Sequence, residues 1–256
     1  MYSLNGRSAI VTGAAHGIGR KIALRLSEEG CDIGIFDIDE LRAKETAGDI
    51  RERGGRVFVE VGSVANKDDV DRAMSTLARE LGRVDILVNN AGILRVGKIL
   101  AMSEKDWDDT LRVNLDGVFL VSRSVIPHMI ARKSGCVLNL ASWLGKKGVA
   151  SYGAYCASKF AVIGLTQTMA LELAEYGIRV NALAPGLIIE TKLRAESEAM
   201  HQAQGLPLAA ERAKSIPLGR VGYPDDVARL ATFLVSDEAA YMTGQAINVS
   251  GGLWMN

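Results

Sequence analysis

The sequence predicts an α/β fold over residues 1–256: one doubly wound domain with a mostly parallel seven-stranded sheet and helices on both faces. Three observations lead there. Short apolar runs alternate with longer helical patterns along the whole chain, as βαβ units require. Apolar residues make up 48% of the chain and glycine occurs 27 times, which suits strands buried on both faces and tight turns between layers. No repeat, low-complexity tract or Pro/Gly-rich linker divides the chain.

Taken in order, the strands are expected at Ala9–Thr12, Asp32–Asp37, Val57–Val61, Val84–Asn89, Cys136–Ala141 and Arg179–Ala184, with Ala246–Val249 finishing an edge. Right-handed crossovers would gather them into one Rossmann-type sheet, with ligands beyond the C-terminal ends of the strands. Between them, Asn66 to Leu81 reads as an amphipathic helix. Ser103 with Asp106 resembles a capping box before Trp107, and Pro224 with Asp225 and Asp226 suits a helix start. Long helices are expected from Trp107 to Arg132 and from Ala154 to Tyr176. The stretch from about 189 to 217 breaks the alternation and reads as an irregular lid over a substrate.

Thirty basic and thirty acidic residues cancel, and no stretch collects Lys and Arg as a nucleic-acid or membrane surface would require. A small-molecule partner is expected. Three scattered cysteines and three scattered histidines offer neither a disulfide framework nor metal-ligand spacing, which points to a reducing compartment and no metal. No apolar run approaches the roughly eighteen residues of a membrane span, and the first strand follows Met1 too soon for a signal peptide. A cytoplasmic location is expected.

The first strand ends in Thr12-Gly13-Ala14-Ala15-His16-Gly17-Ile18-Gly19 and runs into a helix. Glycine permits positive φ and close backbone approach, so a pyrophosphate can sit against open N–H groups at the positive end of the helix dipole. The spacing differs from the Gly-x-Gly-x-x-Gly fingerprint, so the reading rests on context: a strand before, a helix after, and Asp37 ending the second strand. A carboxylate there accepts hydrogen bonds from the adenosine ribose and repels a 2′-phosphate, so NAD is expected over NADP, with His16 and Arg42 as the nearby positive charge that argues the other way.

Tyr155 and Lys159 lie four residues apart at the start of a helical pattern, which stacks them on one face. A free phenol, with a pKa of about 10, is a poor base at neutral pH; a neighbouring ammonium and a cationic nicotinamide would favour the phenolate. Tyr155 could then exchange a proton with an alcohol or ketone, while Ser142, ending the preceding strand, hydrogen-bonds the reacting oxygen.

With those residues in place, the chain resembles the short-chain dehydrogenase/reductase family over nearly its whole length. The resemblance is carried by the glycine turn, Asn89-Asn90-Ala91-Gly92, Asn114, Ser142, Tyr155-Cys156-Ala157-Ser158-Lys159 and Pro185-Gly186. It implies a catalytic set of Asn114, Ser142, Tyr155 and Lys159, with Asn114 helping to hold a relay water and Lys159 also on the nicotinamide ribose. For the cofactor it implies contacts at Gly13, His16, Gly17, Ile18, Gly19, Asp37, Asn90, Ala91 and Gly92, and at Pro185, Gly186, Ile188 and Thr191 beside the nicotinamide. Thr191 comes one residue later than the usual family spacing, and Ser63-Val64 stands where many relatives carry Asp-Val beside the adenine. The long helices resemble those of the family's subunit contacts, which implies a homotetramer.

The reaction expected is hydride transfer between NAD and a secondary alcohol or ketone. Asp37 and a resemblance in Gly164 to Gly177 and Thr243 to Gly252 favour a polyol, sugar or sugar-acid substrate. The alternatives are a 3-oxoacyl-carrier-protein reductase and a catalytically silent nucleotide-binding regulator. A hydrolase is excluded by the lack of a Gly-x-Ser-x-Gly elbow. Ser142, Lys146, Tyr152 and His201 are polar candidates near a substrate, each expected to face solvent; Trp143 is expected to wall the pocket and Trp254 to reach a neighbouring subunit.

Overall fold

The computed structural model describes Tyr2, residues 4–203, Gly205 and residues 207–256. Gln204 and Leu206, within the expected lid, and Met1 and Ser3 lie outside the described residues. The chain runs β1 (Ser8–Thr12), α1 (Gly17–Glu28), β2 (Asp32–Asp37), α2 (Glu40–Glu52), β3 (Val57–Val61), α3 (Lys67–Leu81) and β4 (Ile86–Asn89). It continues through α4 (Glu104–Leu111), α5 (Gly117–Ile130), β5 (Gly135–Leu140), α6 (Gly153–Leu173), β6 (Ile178–Pro185), α7 (Lys192–Ala203), α8 (Ala209–Arg212), α9 (Pro224–Val235) and β7 (Ala246–Val249).

All seven strands are parallel, in the order β3-β2-β1-β4-β5-β6-β7. Alternation along a strand sends successive side chains to opposite faces. Ala9 and Val11 of β1 therefore join Ile22, Leu26 and Ala231 of α1 and α9 in one core layer. Ile10, between them, joins Met74, Leu77, Val121 and Met169 of α3, α5 and α6 in the other. Coverage on both faces explains why these strands read as unbroken apolar runs. Chain order reverses between β1 and β4, and the crevice beyond their C-terminal ends is where an open α/β sheet places a ligand.

Helix ends follow their local chemistry. Asn66 caps α3, its Oδ1 accepting from the backbone N–H of Asp68 (2.9 Å) and Asp69 (3.1 Å). Ser103 Oγ accepts the Asp106 N–H (3.0 Å), and Asp226 accepts the Tyr223 N–H (2.9 Å). Two expectations need correction. The helix expected from Trp107 to Arg132 is broken by a π turn, Arg112–Asp116, which carries Asn114 inward. The stretch 189–217 is largely helical, holding α7 and α8; within α7 only Ser197 and His201 are buried, so no apolar stripe announces the helix. Among the described residues no helix is long and apolar enough to cross a membrane.

Candidate active site

A cleft of about 460 Å³ opens along the strand ends and has two halves. One is built from backbone. Gly13 and Gly17 adopt left-handed φ of 67° and 49°. A Cβ on Gly13 would sit 2.8 Å from Ala91 Cα, and one on Gly17 would sit 3.0 Å from Thr191 Cγ2. The Asn90 amide pins the turn, donating to the carbonyls of Thr12 (3.0 Å) and Gly13 (2.9 Å), while Thr12 Oγ1 accepts the N–H groups of Asn90 (3.0 Å) and Ala91 (3.1 Å). His16 is the N-cap of α1 but gives its first turn no side-chain hydrogen bond, so that turn faces the cleft with open donors. A glycine cradle with open N–H groups fits a dinucleotide pyrophosphate.

Farther along this half, Asp37 accepts the N–H groups of Ala15 (2.8 Å) and Asp39 (3.0 Å), which fixes its carboxylate at the cleft wall. His16 Nε2 lies 2.9 Å from Asp39 Oδ2, and that hydrogen bond holds the Asp39 carboxyl below the usual carboxylate range. Arg42 is engaged by Glu45 at 2.7 Å. The positive charge weighed against NAD is thus spent on neighbouring acids. Ser63 and Val64 line the same end, the Ser63 hydroxyl oxygen accepting the Ala65 N–H at 3.2 Å.

The other half is built from buried side chains. Ser142, just past β5, and Tyr155 and Lys159 on α6 meet at the cleft, beside Pro185, Gly186, Ile188 and Thr191. Ser142 Oγ accepts the Leu144 N–H at 3.1 Å, and its hydroxyl faces the same cleft as the Tyr155 phenol. Lys159 Nζ donates to the Leu140 carbonyl at 2.6 Å and lies 5.7 Å from the Tyr155 ring centre. Burial dominates both titrations. It pushes the phenol up to about 12, against the Ser142 hydrogen bond and the Arg194 charge that lower it, and it draws the ammonium down to about 8. Without the cofactor the chain raises this phenol rather than lowering it, and the phenol faces the cleft as a proton donor.

Every residue expected at the cofactor lines the cleft except Gly19, and every expected catalytic residue except Asn114. Both stand behind the wall. A side chain on Gly19 would run into the Gly13 carbonyl and the Asn90 amide, so this glycine serves helix-to-turn packing. Asn114 Oδ1 accepts the Ile93 N–H (2.8 Å), and its Nδ2 donates to Ile93 O (3.0 Å) and Ser158 Oγ (3.1 Å). It positions the loop after β4 against α6. Lys146 donates to the carbonyls of Ala246 (2.6 Å) and Asn256 (3.0 Å) away from the cleft, and Trp254 stacks under Lys147, 4.8 Å from ring centre to Nζ.

Tyr152 and His201 are buried, not solvent-facing: Tyr152 Oη and His201 Nε2 are 2.6 Å apart. Trp143, Leu193 and Arg194 also line this half. Arg194 escaped the sequence reading because its segment shows no periodic apolar signal; the Arg194, Ser197, Glu198 and His201 spacing of a polar helix face was the available clue.

A pyrophosphate cradle leading to a buried, protonated phenol beside a serine defines a pyridine-nucleotide-dependent oxidoreductase. The dinucleotide supplies hydride donation or acceptance when bound; Gly13, Gly17, Ile18 and Asp37 would hold its adenosine half, Tyr155 and Lys159 its nicotinamide half. Comparison with known proteins agrees. The family model described as Enoyl-(Acyl carrier protein) reductase matches residues 13–254. The chain is 40% identical to the 3-oxoacyl-[acyl-carrier-protein] reductase of Staphylococcus epidermidis, over 97% of this chain and 99% of that one. It is 39% identical to a subunit of the (2S)-[(R)-hydroxy(phenyl)methyl]succinyl-CoA dehydrogenase of Thauera aromatica, over 97% of each. A crystal structure of a gluconate 5-dehydrogenase from Burkholderia cenocepacia, in complex with NADP and tartrate, superposes with a TM-score of 0.91 at 38% identity, covering 98% of this chain and 96% of that one. The chain belongs to the short-chain dehydrogenase/reductase family.

Proposed function

We propose that the chain interconverts a 3-oxoacyl and a 3-hydroxyacyl group, with NAD(H) as the redox partner. The observation that carries this reading is the convergence of Tyr155 and Ser142 on one cleft, where a phenol O–H and a serine hydroxyl can both meet the oxygen of a ketone. The phenol gives its proton to the carbonyl oxygen as hydride arrives at carbon; Ser142 hydrogen-bonds that oxygen, and Lys159 stays behind on the Leu140 carbonyl. The relatives named for 3-oxoacyl reduction move the substrate away from the polyol or sugar favoured by the sequence. Asp37, fixed at the cleft wall with Arg42 engaged by Glu45, supports NAD over NADP, with Lys192 on the same cleft as the cation that argues the other way. The segment 189–217 acts as the lid, and the exposed Phe119 on α5 with Phe160 and Leu171 on α6 supports a homotetramer formed through those helices.

A second reading, oxidation of a sugar acid, is favoured by the likeness to the gluconate 5-dehydrogenase. The deciding measurement is the rate of NADH oxidation with 3-oxoacyl thioesters set against the rate of NADH formation with polyols, sugars and sugar acids. The proposal expects the thioesters to lead by kcat/KM; a sugar acid leading would replace it, and turnover of neither by any nicotinamide cofactor would end both.

A further inference from the structure

The lid sets a guanidinium where a bare alkyl chain would be a poor neighbour. Arg194, in the first turn of α7, lines the cleft together with Ser142, Tyr152 and Tyr155, and its side chain is only 14% exposed. Its charge is close enough to the Tyr155 phenol to favour loss of that proton. Yet its donors are largely unspent. Among the described residues Nε is buried with no hydrogen-bond partner, and Nη1 reaches Ser197 Oγ and Glu198 Oε1 at 3.5 Å each, long for N–H···O bonds. Glu198 commits its other oxygen to the Ala209 N–H at 2.9 Å. A guanidinium has five donors in a fixed fork, and one withdrawn from water without matching acceptors is strongly unfavourable.

Apart from the long Glu198 ion pair, its surroundings hold the fork in place without competing for it. His201 Nδ1 lies 2.9 Å from the Pro207 carbonyl, which can only accept, so Nδ1 carries the proton and Nε2 accepts the Tyr152 O–H. Tyr152 and His201 thereby satisfy each other and tie α7 to the start of α6. Arg95 adds a second cation to this wall, paired with Asp106 at 3.4 Å, and Glu196 is the acid that α7 turns to the cleft. The acidic residues Asp37 and Asp39 stand in the other half, beside the glycine turn.

We propose that Arg194 binds a carboxylate carried by the substrate, so that this cleft takes anionic oxoacyl or hydroxyacyl compounds rather than plain alkyl ones. The inference rests on the cleft being an oxoacyl oxidoreductase site and narrows its substrate. The carboxylate belongs either to a free oxo acid or to the far end of a dicarboxylic half-thioester; in both it meets the guanidinium fork bidentately.

The test compares wild type, R194Q and R194K on charged and neutral partners. The 2-, 3- and 4-oxo acids are each set against their methyl esters, and a 3-oxo dicarboxylic half-thioester against its methyl ester, all with NADH. In wild type the acid is preferred, and R194Q lowers the acid-over-ester ratio of kcat/KM by about 30-fold, the loss expected of charge-assisted hydrogen bonds. R194K, which keeps charge but not the fork, recovers part of it. The series showing the larger ratio distinguishes free acid from half-thioester. An unchanged ratio in folded R194Q, or a KM for NADH that rises in step with the loss, overturns the proposal, the latter by assigning Arg194 to the cofactor. If wild type turns over neither acids nor esters, the oxoacyl reading has failed, and calorimetric titration of succinate into the NADH-loaded enzyme decides the inference separately. Binding by wild type that R194Q abolishes sustains it; no binding by wild type sinks it.

Discussion

The two halves of the cleft recognise by different means. The adenosine half uses main-chain N–H groups, two glycines in left-handed conformations and a carboxylate fixed by backbone donors, all set by strand ends that pair residue by residue. The reaction half uses side chains taken out of water: a phenol pushed up, an ammonium drawn down and a guanidinium short of acceptors. Backbone recognition is robust because its donors come with the fold. Side-chain recognition is chemically sharper, because a low-dielectric surrounding sets how readily each group gives up its proton and strengthens each polar contact.

The sharpest way to break this contrast is Tyr155→Phe, which removes the proton donor and leaves the glycine turn alone. Ketone reduction should fall by about 10³-fold, the usual worth of a positioned general acid, while the NADH dissociation constant, read by fluorescence, stays within about threefold. Activity above a tenth of wild type would strip Tyr155 of its role. Less drastic is an exchange confined to the other half. Asp37→Ser with Ile38→Arg removes a repulsion and supplies a phosphate partner, and should move the NADPH-over-NADH ratio of kcat/KM by about 100-fold, equivalent to about 3 kcal/mol. An unmoved ratio would mean that Asp37 does not read the ribose.

The smallest effect sharpens the electrostatic side of the contrast. Lys159 titrates at about 8 in the fold instead of 10.5, so between those values the unfolded chain binds more protons and stability rises with pH. The penalty of burying the ammonium is fully present below pH 8, on the order of 3 kcal/mol, and fades toward pH 10.5. Lys159→Met removes that penalty but leaves the Leu140 carbonyl without its donor, which costs about 2 kcal/mol. The net expectation at pH 7 is about 1 kcal/mol of stabilisation, a few degrees in Tm, in a protein that has lost its activity. The variant's Tm advantage should vanish and then change sign as pH is raised from 8 to 10.5; an advantage that persists at pH 10.5 would show that burial does not govern this lysine.

Short unbroken apolar runs, glycine at turns and the i, i+4 pairing of Tyr155 with Lys159 are local signals, and from them the sequence by itself determined the parallel sheet, most strand ends to within a residue or two, and nearly the whole cleft wall. What it could not carry were quantities set by distant neighbours. Asn114 turns away from the cleft because a π turn aims it at Ile93 and Ser158, and Gly19 is a packing glycine because Asn90 arrives from β4. The helix α7 rests on a polar face that only its tertiary partners make buriable, and with it came Arg194. Above all, how tightly Tyr155 holds its proton is set by burial: identity and spacing name an acid, but the dielectric around it exists only once the chain has folded.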